Sequence, residues 1–469
     1  MGYKTHLKFY HHEMMKELKE LIKIPSVYDE KTKTKEMPFG KAVDDALAYV
    51  ASMGERYGFK VDRCDGYCTE LTIGEGKRTI GIFAHADVVP ASGKWDSDPF
   101  EPRVHAGNIY GRGTSDDKGP FIAAFFATKA LERSGLLKNY KVRIVVGGDE
   151  ERGSSCLDYY NEKLKKPAPD YGFTPDSDFP LIYGEKGITD FFCELKVNIP
   201  GVKSIKGGVA TNAVCDKVEI ELDDPTEMVN YCKEAGISHE ILGKTIIIYG
   251  KSAHGSTPEL GDNAALKALI GLGTVYGVSE LVNLGTKLSD TTGASFDGFA
   301  ESKLLGKTTY CVGKISYKKG LLEFTVNFRY PETVDRTAYM VNFDNEFNTL
   351  TILGEESHYL LYDPESDLVK TLYKAYRKET HDKTKPLTTG GGTYAKHAKN
   401  TIAFGALFPK RESTMHEPNE YMPIHDIYKS ASIYARAIKM LGELKKWEQS
   451  INNGLSTMST NTQKWQFKR

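Results

Sequence analysis

The sequence predicts an α/β protein: a discontinuous domain built on a mixed sheet with helices on both faces, and an α+β domain inserted into it. Continuous apolar runs before His85 and Asp149 predict buried strands, and the amphipathic segment between them predicts a helix. From about Gly187 apolar and polar residues alternate, as in half-exposed antiparallel strands, and after about Lys385 the α/β pattern returns. The predicted domain limits are 1–186, 187–383 and 384–469.

The length and net charge of the chain argue against some classes of function. The chain has 469 residues, too many for a single ordinary core, and its 62 basic side chains against 63 acidic ones leave a net charge of −1. This balance argues against general binding of nucleic acid or of an anionic membrane. The N-terminal segment lacks an apolar signal-peptide region, and no stretch is apolar enough to cross a membrane. We therefore expect a cytoplasmic protein that acts on small molecules.

The individual elements follow from hydrophobic periodicity, taken in chain order. The first part is predicted to contain helices at 9–24, 41–57 and 120–134 and strands at 79–85 and 142–148. The inserted part is predicted to contain strands at 191–199, 217–223, 244–250 and 321–331 and helices at 225–235 and 263–277. The last part is predicted to contain a strand at 400–409, a helix at 424–444 and a loose polar tail at 449–469.

His85 and Asp87 lie at the end of the first buried strand. Side chains two positions apart point the same way in an extended chain, so an imidazole and a carboxylate are neighbours here. A metal-bound imidazole commonly donates its second N–H to a carboxylate, which predicts that one residue binds metal while the other orients it. Taken alone, the motif fits two polar residues that face solvent at a strand end better than it fits a metal site.

Asp116 and Asp117 lie in a Gly-rich loop between a strand and a helix. A carboxylate in such a loop can use both oxygens to bridge two cations about 3.5–4 Å apart, and we assign the bridge to Asp116. The competing interpretation is a phosphate-binding loop at the helix N-terminus. The glycine spacing matches neither known phosphate pattern, and two aspartates would repel phosphate.

The second buried strand ends in three consecutive acids, Asp149, Glu150 and Glu151. Adjacent side chains diverge at a strand end, so one glutamate can bind metal while its neighbour reaches a bound water as general base. A solvated acidic turn is the alternative for any single member. A solvated turn is a poor explanation for three consecutive acids that directly follow a buried strand.

Two further residues complete the set of candidate metal ligands. Asp176 follows Pro175 in the segment TPDSDFP, with Asp178 as a near alternative, and His416 supplies a second imidazole. His425 is a rival to His416, but it opens the predicted C-terminal helix and fits a surface or capping position better. Histidine and carboxylate ligands together with one extra carboxylate predict a two-metal hydrolytic site.

A series of ordered motifs resembles the di-zinc metallopeptidases that include acetylornithine deacetylase, succinyl-diaminopimelate desuccinylase and glutamate carboxypeptidase. The motifs are HADVVP, GRGTSDDKGP, GGDEE, PDSDFP, SAHGSTPELGDNA, NFRYP, GGGTYAK and MHEPNE. The likeness as a whole extends over about residues 10–444. Within this family the chain looks most like the dipeptidase V branch of bacterial, carnosinase-like dipeptidases.

The resemblance implies a zinc-peptidase-like fold and a role for each residue of the series. His85 and Asp176 would hold one metal ion, Glu151 and His416 the other, and Asp116 would bridge them. Glu150 would be the general base and Asp87 the partner that orients His85. The peptide bond between Asp116 and Asp117 would be cis. The expected cofactor is two divalent ions per subunit, Zn²⁺ first, although such ligands also admit Mn²⁺ or Co²⁺.

The resemblance also implies that the inserted domain is a lid over the active site. His254 would stabilise the oxyanion, Asn212 would contact substrate, and Arg329 would bind the substrate carboxylate. Backbone N–H groups of Gly391, Gly392 and Thr393 would line the substrate pocket. Many relatives borrow the oxyanion histidine from a dimer partner, but a lid as large as 187–383 is typical of the monomeric kind, so we predict a monomer.

These inferences predict a metal-dependent dipeptidase that hydrolyses dipeptides or very short peptides by a two-metal-activated water, with Glu150 as general base. The alternative within the enzyme class is an amidohydrolase that removes the acyl group from N-acyl amino acids. A dipeptidase would need an acid to bind the free amine, a role that Asp116 or Asp176 could fill. A catalytically silent metal or peptide carrier is disfavoured because no ligand or base is lost from the series.

Overall fold

Two large sheets organise two hydrophobic cores in the computed structural model, which describes residues 2–444. The first sheet takes strands from residues 60–185 and again from 360–403, whereas the second takes all its strands from residues 187–357. The predicted fold class, a discontinuous mixed-sheet domain with an inserted α+β domain, is therefore confirmed. The tail predicted at 449–469 lies outside the described residues.

The first sheet combines parallel and antiparallel pairs in the order β1-β2-β6-β3-β7-β22-β9-β20, with β21 paired to β9. Its strands are β1 Lys60–Asp62, β2 Cys68–Gly74, β3 Arg78–His85, β6 Tyr140–Gly147, β7 Tyr171–Thr174, β9 Ile182–Glu185, β20 Leu360–Leu361, β21 Leu387–Thr389 and β22 Thr401–Ala403. The central strands β6, β3, β7 and β22 run parallel to one another. Their carboxyl ends therefore meet at one edge of the sheet.

The second sheet is antiparallel throughout, in the order β13-β14-β12-β11-β17-β18-β10-β19. Its strands are β10 Gly187–Lys196, β11 Val202–Gly207, β12 Lys217–Leu222, β13 His239–Leu242, β14 Thr245–Tyr249, β17 Thr309–Lys318, β18 Leu321–Tyr330 and β19 Leu350–Ser357. Burial alternates along β10 and β12, as expected for strands with one face on a core and one toward solvent.

Three small sheets complete the strands of the described chain. They contain β4 Arg103–His105, β5 Asn108–Tyr110 and β24 Tyr421–Pro423; β8 Ser177–Asp178 and β23 Ala406–Leu407; and β15 Glu301–Ser302 and β16 Gly306–Lys307. Through these pairs the segments around Asp116, Asp176 and His416 are tied to neighbouring backbone.

The α-helices pack on the two sheets. They are α1 Tyr3–Phe9, α2 His11–Ile22, α3 Lys41–Arg56, α4 Lys118–Arg133, α5 Ser155–Asp158, α6 Thr226–Glu234, α7 Ala264–Tyr276, α8 Ser279–Leu288, α9 Arg336–Phe347, α10 Asp367–Thr380 and α11 Ile424–Gly442. Helix α4 is buried almost all round, and its Phe121, Phe125 and Phe126 are fully enclosed. Replacing one of these rings by alanine is expected to cost about 3–5 kcal/mol of folding free energy.

The chain returns to the larger core earlier than predicted. Strand β20 pairs with β9, and helix α10 buries Leu372, Ala375 and Tyr376 in the larger core. The predicted inserted domain, 187–383, had included both elements. An amphipathic helix carries the same periodicity whichever core it packs on, so the pattern could not assign it.

The predicted strand at 400–409 is two short strands, β22 and β23, which belong to different sheets. The break falls at Gly405, whose φ is +81°. A side chain at this position would collide with the Phe179 ring, so the glycine permits a close approach as well as the turn. No helix in residues 2–444 is long and apolar enough to cross a membrane.

Candidate dinuclear metal centre

Three parallel strands deliver polar side chains to the same edge of the first sheet. Strand β3 ends at His85, β6 ends two residues before Asp149, and β7 ends two residues before Asp176. His85 pairs in register with Gly147, where an added Cβ would lie 2.1 Å from the hydroxyl oxygen of Tyr394. The glycine therefore allows Tyr394 to pack closely beneath the site.

Asp116 lies between two triads of ligand-type side chains. Its Oδ1 lies 2.9 Å from Nε2 of His85, and its Oδ2 lies 2.9 Å from Nε2 of His416. Oδ2 of Asp176 is 3.7 Å from Nε2 of His85, and Oε2 of Glu151 is 3.1 Å from Nε2 of His416. The structure thus brings the five predicted ligands together, with Asp116 common to both triads.

Asp87 connects His85 to the acidic segment. The Nδ1 of His85 lies 2.9 Å from the backbone oxygen of Asp87 and 3.4 Å from its carboxylate. A carbonyl oxygen only accepts, so Nδ1 donates to Asp87 and Nε2 is the ring nitrogen that faces Asp116. The Asp87 carboxylate also accepts the backbone N–H groups of Glu150 and Glu151, at 3.2 and 3.1 Å. Asp87 is therefore placed to orient the acids as well as the imidazole.

Asp117 follows a cis peptide bond after Asp116, the geometry that the family resemblance implied. Its Oδ2 accepts the backbone N–H of His85 at 3.2 Å. Its Oδ1 is buried without a hydrogen-bond partner among the described residues. Burial, followed by the charge of Asp176, raises the pKa of Asp117 well above its ordinary value.

Glu420 holds the Asp116 loop and was missed by the sequence analysis. The side chain is fully buried and accepts the backbone N–H groups of Gly113, Ser115 and Asp116 at 2.8–3.2 Å. It also pairs with the buried guanidinium of Arg112 at 2.7 Å. Its only sequence signal was an acid four residues after His416, which resembles any surface glutamate.

The site concentrates negative charge in a buried volume. Burial and the charge of Asp116 raise the pKa of Asp176 to about 7, and burial and the charge of Asp176 raise that of Glu150. Burial lowers the pKa of His416, but hydrogen bonds to Asp116 and Glu151 outweigh this and raise it to about 11. Crowded carboxylates and imidazoles of this kind are stabilised by cations.

The donor set fits two divalent cations. It consists of imidazole nitrogens and carboxylate oxygens, which zinc and similar ions accept as ligands. The two oxygens of Asp116 face opposite triads, as a bridging carboxylate requires. The Glu150 carboxylate makes no hydrogen bond to another described residue, so it is free to exchange a proton beside the triads.

His254 reaches this site from the inserted domain. Its Nδ1 lies 2.6 Å from Oγ of Ser256 and 3.4 Å from the Ser256 backbone nitrogen. Because a backbone N–H can only donate, Nδ1 is the acceptor and the proton is on Nε2. Desolvation, then the charges of Arg329 and His416, lower the pKa of His254 to about 4. The imidazole is therefore neutral at pH 7 and can donate from Nε2.

Arg329 is buried where the inserted domain meets the 390–394 loop. Its Nη1 donates to the backbone oxygen of Gly390 at 2.7 Å, and its Nε donates to Asn327 at 2.8 Å. Asn212 is exposed, and its backbone oxygen accepts the N–H of Gly255 at 2.7 Å. Asn212 thus supports the loop that carries His254.

The predicted pocket loop uses two of its N–H groups internally. The Gly391 N–H donates to Oγ1 of Thr389 at 3.1 Å, and both the N–H and the hydroxyl of Thr393 donate to the buried carboxylate of Glu185. Gly392 has no such contact among the described residues. The sequence predicted backbone donors along the whole stretch, and Glu185 as their acceptor was not foreseen.

The two sequence rivals lie apart from the triads. His425 is exposed at the start of α11, with Nδ1 3.3 Å from Asp426. Asp178 lies in β8, where its backbone accepts the N–H of Gly405. Neither belongs to a metal-ligand group in the described chain.

A protein-family model described as "Peptidase family M20/M25/M40" matches residues 81–440. The chain belongs to this peptidase family. The predicted resemblance is thereby confirmed, and the protein is a peptide-bond hydrolase of the family.

Relatives of this M20 peptidase extend over nearly its whole length. A Staphylococcus epidermidis protein named "Putative dipeptidase" is 34% identical and covers 92% of this chain and 97% of its own. A Bacillus subtilis protein named "Putative dipeptidase YtjP" is 33% identical with the same coverages. The crystal structure of human carnosine dipeptidase 1 shares the fold, with a TM-score of 0.61, 15% identity, and coverage of 94% of this chain and 98% of that one.

Proposed function

We propose that the protein is a two-metal dipeptidase that hydrolyses dipeptides or very short peptides. The observation that carries the proposal is the pair of triads that share Asp116, with the unpartnered Glu150 carboxylate beside them. The names of the relatives support a dipeptide substrate.

His85 and Asp176 would hold one ion, Glu151 and His416 the other, and Asp116 both. Bound there, two divalent cations would polarise the scissile carbonyl and make a water molecule acidic enough to attack it. Zinc is the first candidate because the donors are nitrogen and oxygen, and Mn²⁺ and Co²⁺ suit the same set.

Glu150 would accept the proton of the attacking water and pass it to the leaving amine. The Asp87 carboxylate accepts the backbone N–H groups of both Glu150 and Glu151. It therefore positions the proposed base and a proposed metal ligand together. A positioned general base contributes typically about 10²–10⁴-fold to rate.

His254 would donate from Nε2 to the oxyanion of the tetrahedral intermediate. A neutral imidazole held by Ser256 is a preorganised donor, and removing one such donor costs about 2.7–4 kcal/mol of transition-state stabilisation. Arg329 would bind the substrate carboxylate, and Asp116 or Asp176 would accept from the free amine. The charge of His416 in the same chain contributes to the lowered pKa of His254, which supports a monomer that completes its own site.

The test is an assay of the chelator-treated, metal-reconstituted protein on dipeptides and on the matching N-acetyl amino acids. Metal-dependent release of both amino acids from dipeptides is expected, with little action on the acetylated compounds. Hydrolysis of acetyl-amino acids without hydrolysis of dipeptides would establish the deacylase alternative. Light scattering of the active protein checks the monomer, and activity found only in a dimer fraction would contradict it.

A further inference from the structure

Three mostly buried cations surround the Gly390–Gly392 loop beside the proposed substrate site. Arg329 and Lys186 are 3% and 8% exposed. Arg329 donates to the backbone oxygen of Gly390, and Lys186 donates to that of Lys307. Lys396 donates to the backbone oxygen of Lys186. No ion pair joins any of the three to a carboxylate in the described part of the chain, although buried cations normally find one.

The loop lies between Lys396 and the lid segment at Ser256. A methyl group added at Gly392 would lie 3.3 Å from Nζ of Lys396, and one added at Gly390 would lie 3.2 Å from the Ser256 side chain beside His254. At Gly391 an added methyl group would meet only Thr389, at 3.5 Å. The space in front of Gly391 is therefore open to a ligand.

Three of the nearby carboxylates are already engaged elsewhere, and a fourth, the exposed Glu259, acts on Lys186 through its charge without forming an ion pair. Glu185 accepts from the N–H and hydroxyl of Thr393. Asp190 accepts from Asn327 at 2.7 Å, and Glu356 is paired with Arg336 at 2.9 Å. Of these acids Glu185 alone is buried, and its charge acts on Lys396.

The lysines have unused hydrogen-bonding capacity. An ammonium group has three N–H donors, and each lysine has one acceptor among the described residues. Desolvation, followed for Lys186 by the charge of Arg329, lowers the pKa of both lysines to about 8, and the opposing charge of Glu185 on Lys396 does not offset the burial.

We infer that Lys186 and Lys396 form an anion subsite for the side chain of the substrate's C-terminal residue, so that dipeptides ending in aspartate or glutamate are preferred. The inference rests on the proposed dipeptidase function. The α-carboxylate would bind Arg329, and a second carboxylate would form the direct ion pair that neither lysine has among the described residues. Charge-assisted hydrogen bonds in a buried site are strong enough to select such a substrate.

The experiment compares isosteric peptides on the metal-loaded enzyme. Ala-Glu should be cleaved with a kcat/KM about tenfold or more above that of Ala-Gln, mostly through a lower KM, because the contact is made equally in the ground and transition states. Glu-Ala should show no such advantage over Gln-Ala, since the charge then lies on the metal side.

The variants Lys186→Met and Lys396→Met should each bring the Ala-Glu to Ala-Gln ratio close to one, and Lys396→Arg should retain a preference. The exposed Lys399→Met is the matched control and should keep the wild-type ratio. A ratio taken within one preparation does not depend on the folded fraction, so a partly unstable variant still gives an answer.

Three outcomes would overturn the inference. A wild-type ratio near one with normal cleavage of Ala-Gln rejects the subsite and leaves the dipeptidase proposal standing. An unchanged preference in both lysine variants assigns the selectivity to other residues. Failure to cleave any of the four peptides rejects the dipeptidase function and the subsite with it.

Discussion

The metal centre and the loop at Gly390–Gly392 are held in different ways. The ligand-type residues of the metal centre mostly follow parallel strands of one sheet, and buried partners such as Glu420 fix their backbone. The groups proposed to contact substrate come from the lid loop at His254, from β18 at Arg329 and from the loop itself. The candidate metal ligands are therefore held within the larger core. The positions of the proposed substrate-binding groups depend instead on how the two cores pack against each other.

The largest effect is expected when the metal centre itself is broken. His416→Ala removes the shared contact with Asp116 and Glu151, so one of the two ions should be lost and activity should fall to background. Metal content by elemental analysis and peptide hydrolysis measure this. His425→Ala is the control, because this histidine is exposed and outside both triads; an equal loss in both variants would contradict the assignment.

The next variant distinguishes the proposed general base, Glu150, from the metal ligands around it. Glu150→Ala should keep both metal ions while kcat falls by about 10²–10⁴-fold, because only proton transfer is lost. Elemental analysis and steady-state kinetics test this, with the exposed Glu162→Ala as control. Near-normal turnover in Glu150→Ala would require another base.

A substitution in the lid tests the proposed substrate-binding region. His254→Ala should lower kcat by about 10²–10³-fold without changing metal content or thermal stability, because a single oxyanion donor is removed. Loss of metal in this variant would mean that the two regions are not separable as described.

Glu420→Gln tests how the Asp116 loop is held. The change leaves Arg112 buried without its counter-charge and weakens the contacts to the loop amides. Metal affinity or activity should fall by about 10–100-fold, as is usual when a residue that orients a ligand is altered. Isothermal titration with Zn²⁺ measures the affinity, and wild-type binding would show that the loop keeps its geometry unaided.

The smallest effect is expected for Ser256→Ala. Nδ1 of His254 would lose its hydrogen bond with the serine hydroxyl but keep the weaker one with the backbone N–H. The tautomer with the proton on Nε2 should therefore still be favoured, but less strongly. We expect kcat to fall by roughly 5–10-fold, in line with the loss of about one ordinary hydrogen bond. A loss as large as that of His254→Ala would show that the hydroxyl itself is essential.

The sequence anticipated the metal centre better than its surroundings. Each metal-site residue predicted in the first part of the chain follows an apolar strand or opens a helix, so local periodicity sufficed to find it. Glu420, Arg112, Lys186 and Lys396 gave no such signal, because isolated charged residues usually face solvent. The return of the chain to the larger core at β20 and α10 was missed because both cores accept an amphipathic helix.

The fold class and the ordered series of acids and histidines could be predicted from the sequence, because they depend on local periodicity and on the type and order of residues. The family was recognised from the resemblance of its motifs. The three-dimensional structure was needed to show that the two oxygens of Asp116 face different triads, that Asp87 supports Glu150 and Glu151, and that the Lys396 amine lies against Gly392. These are contacts between residues far apart in the chain. Their geometry is set by packing, which no local pattern specifies.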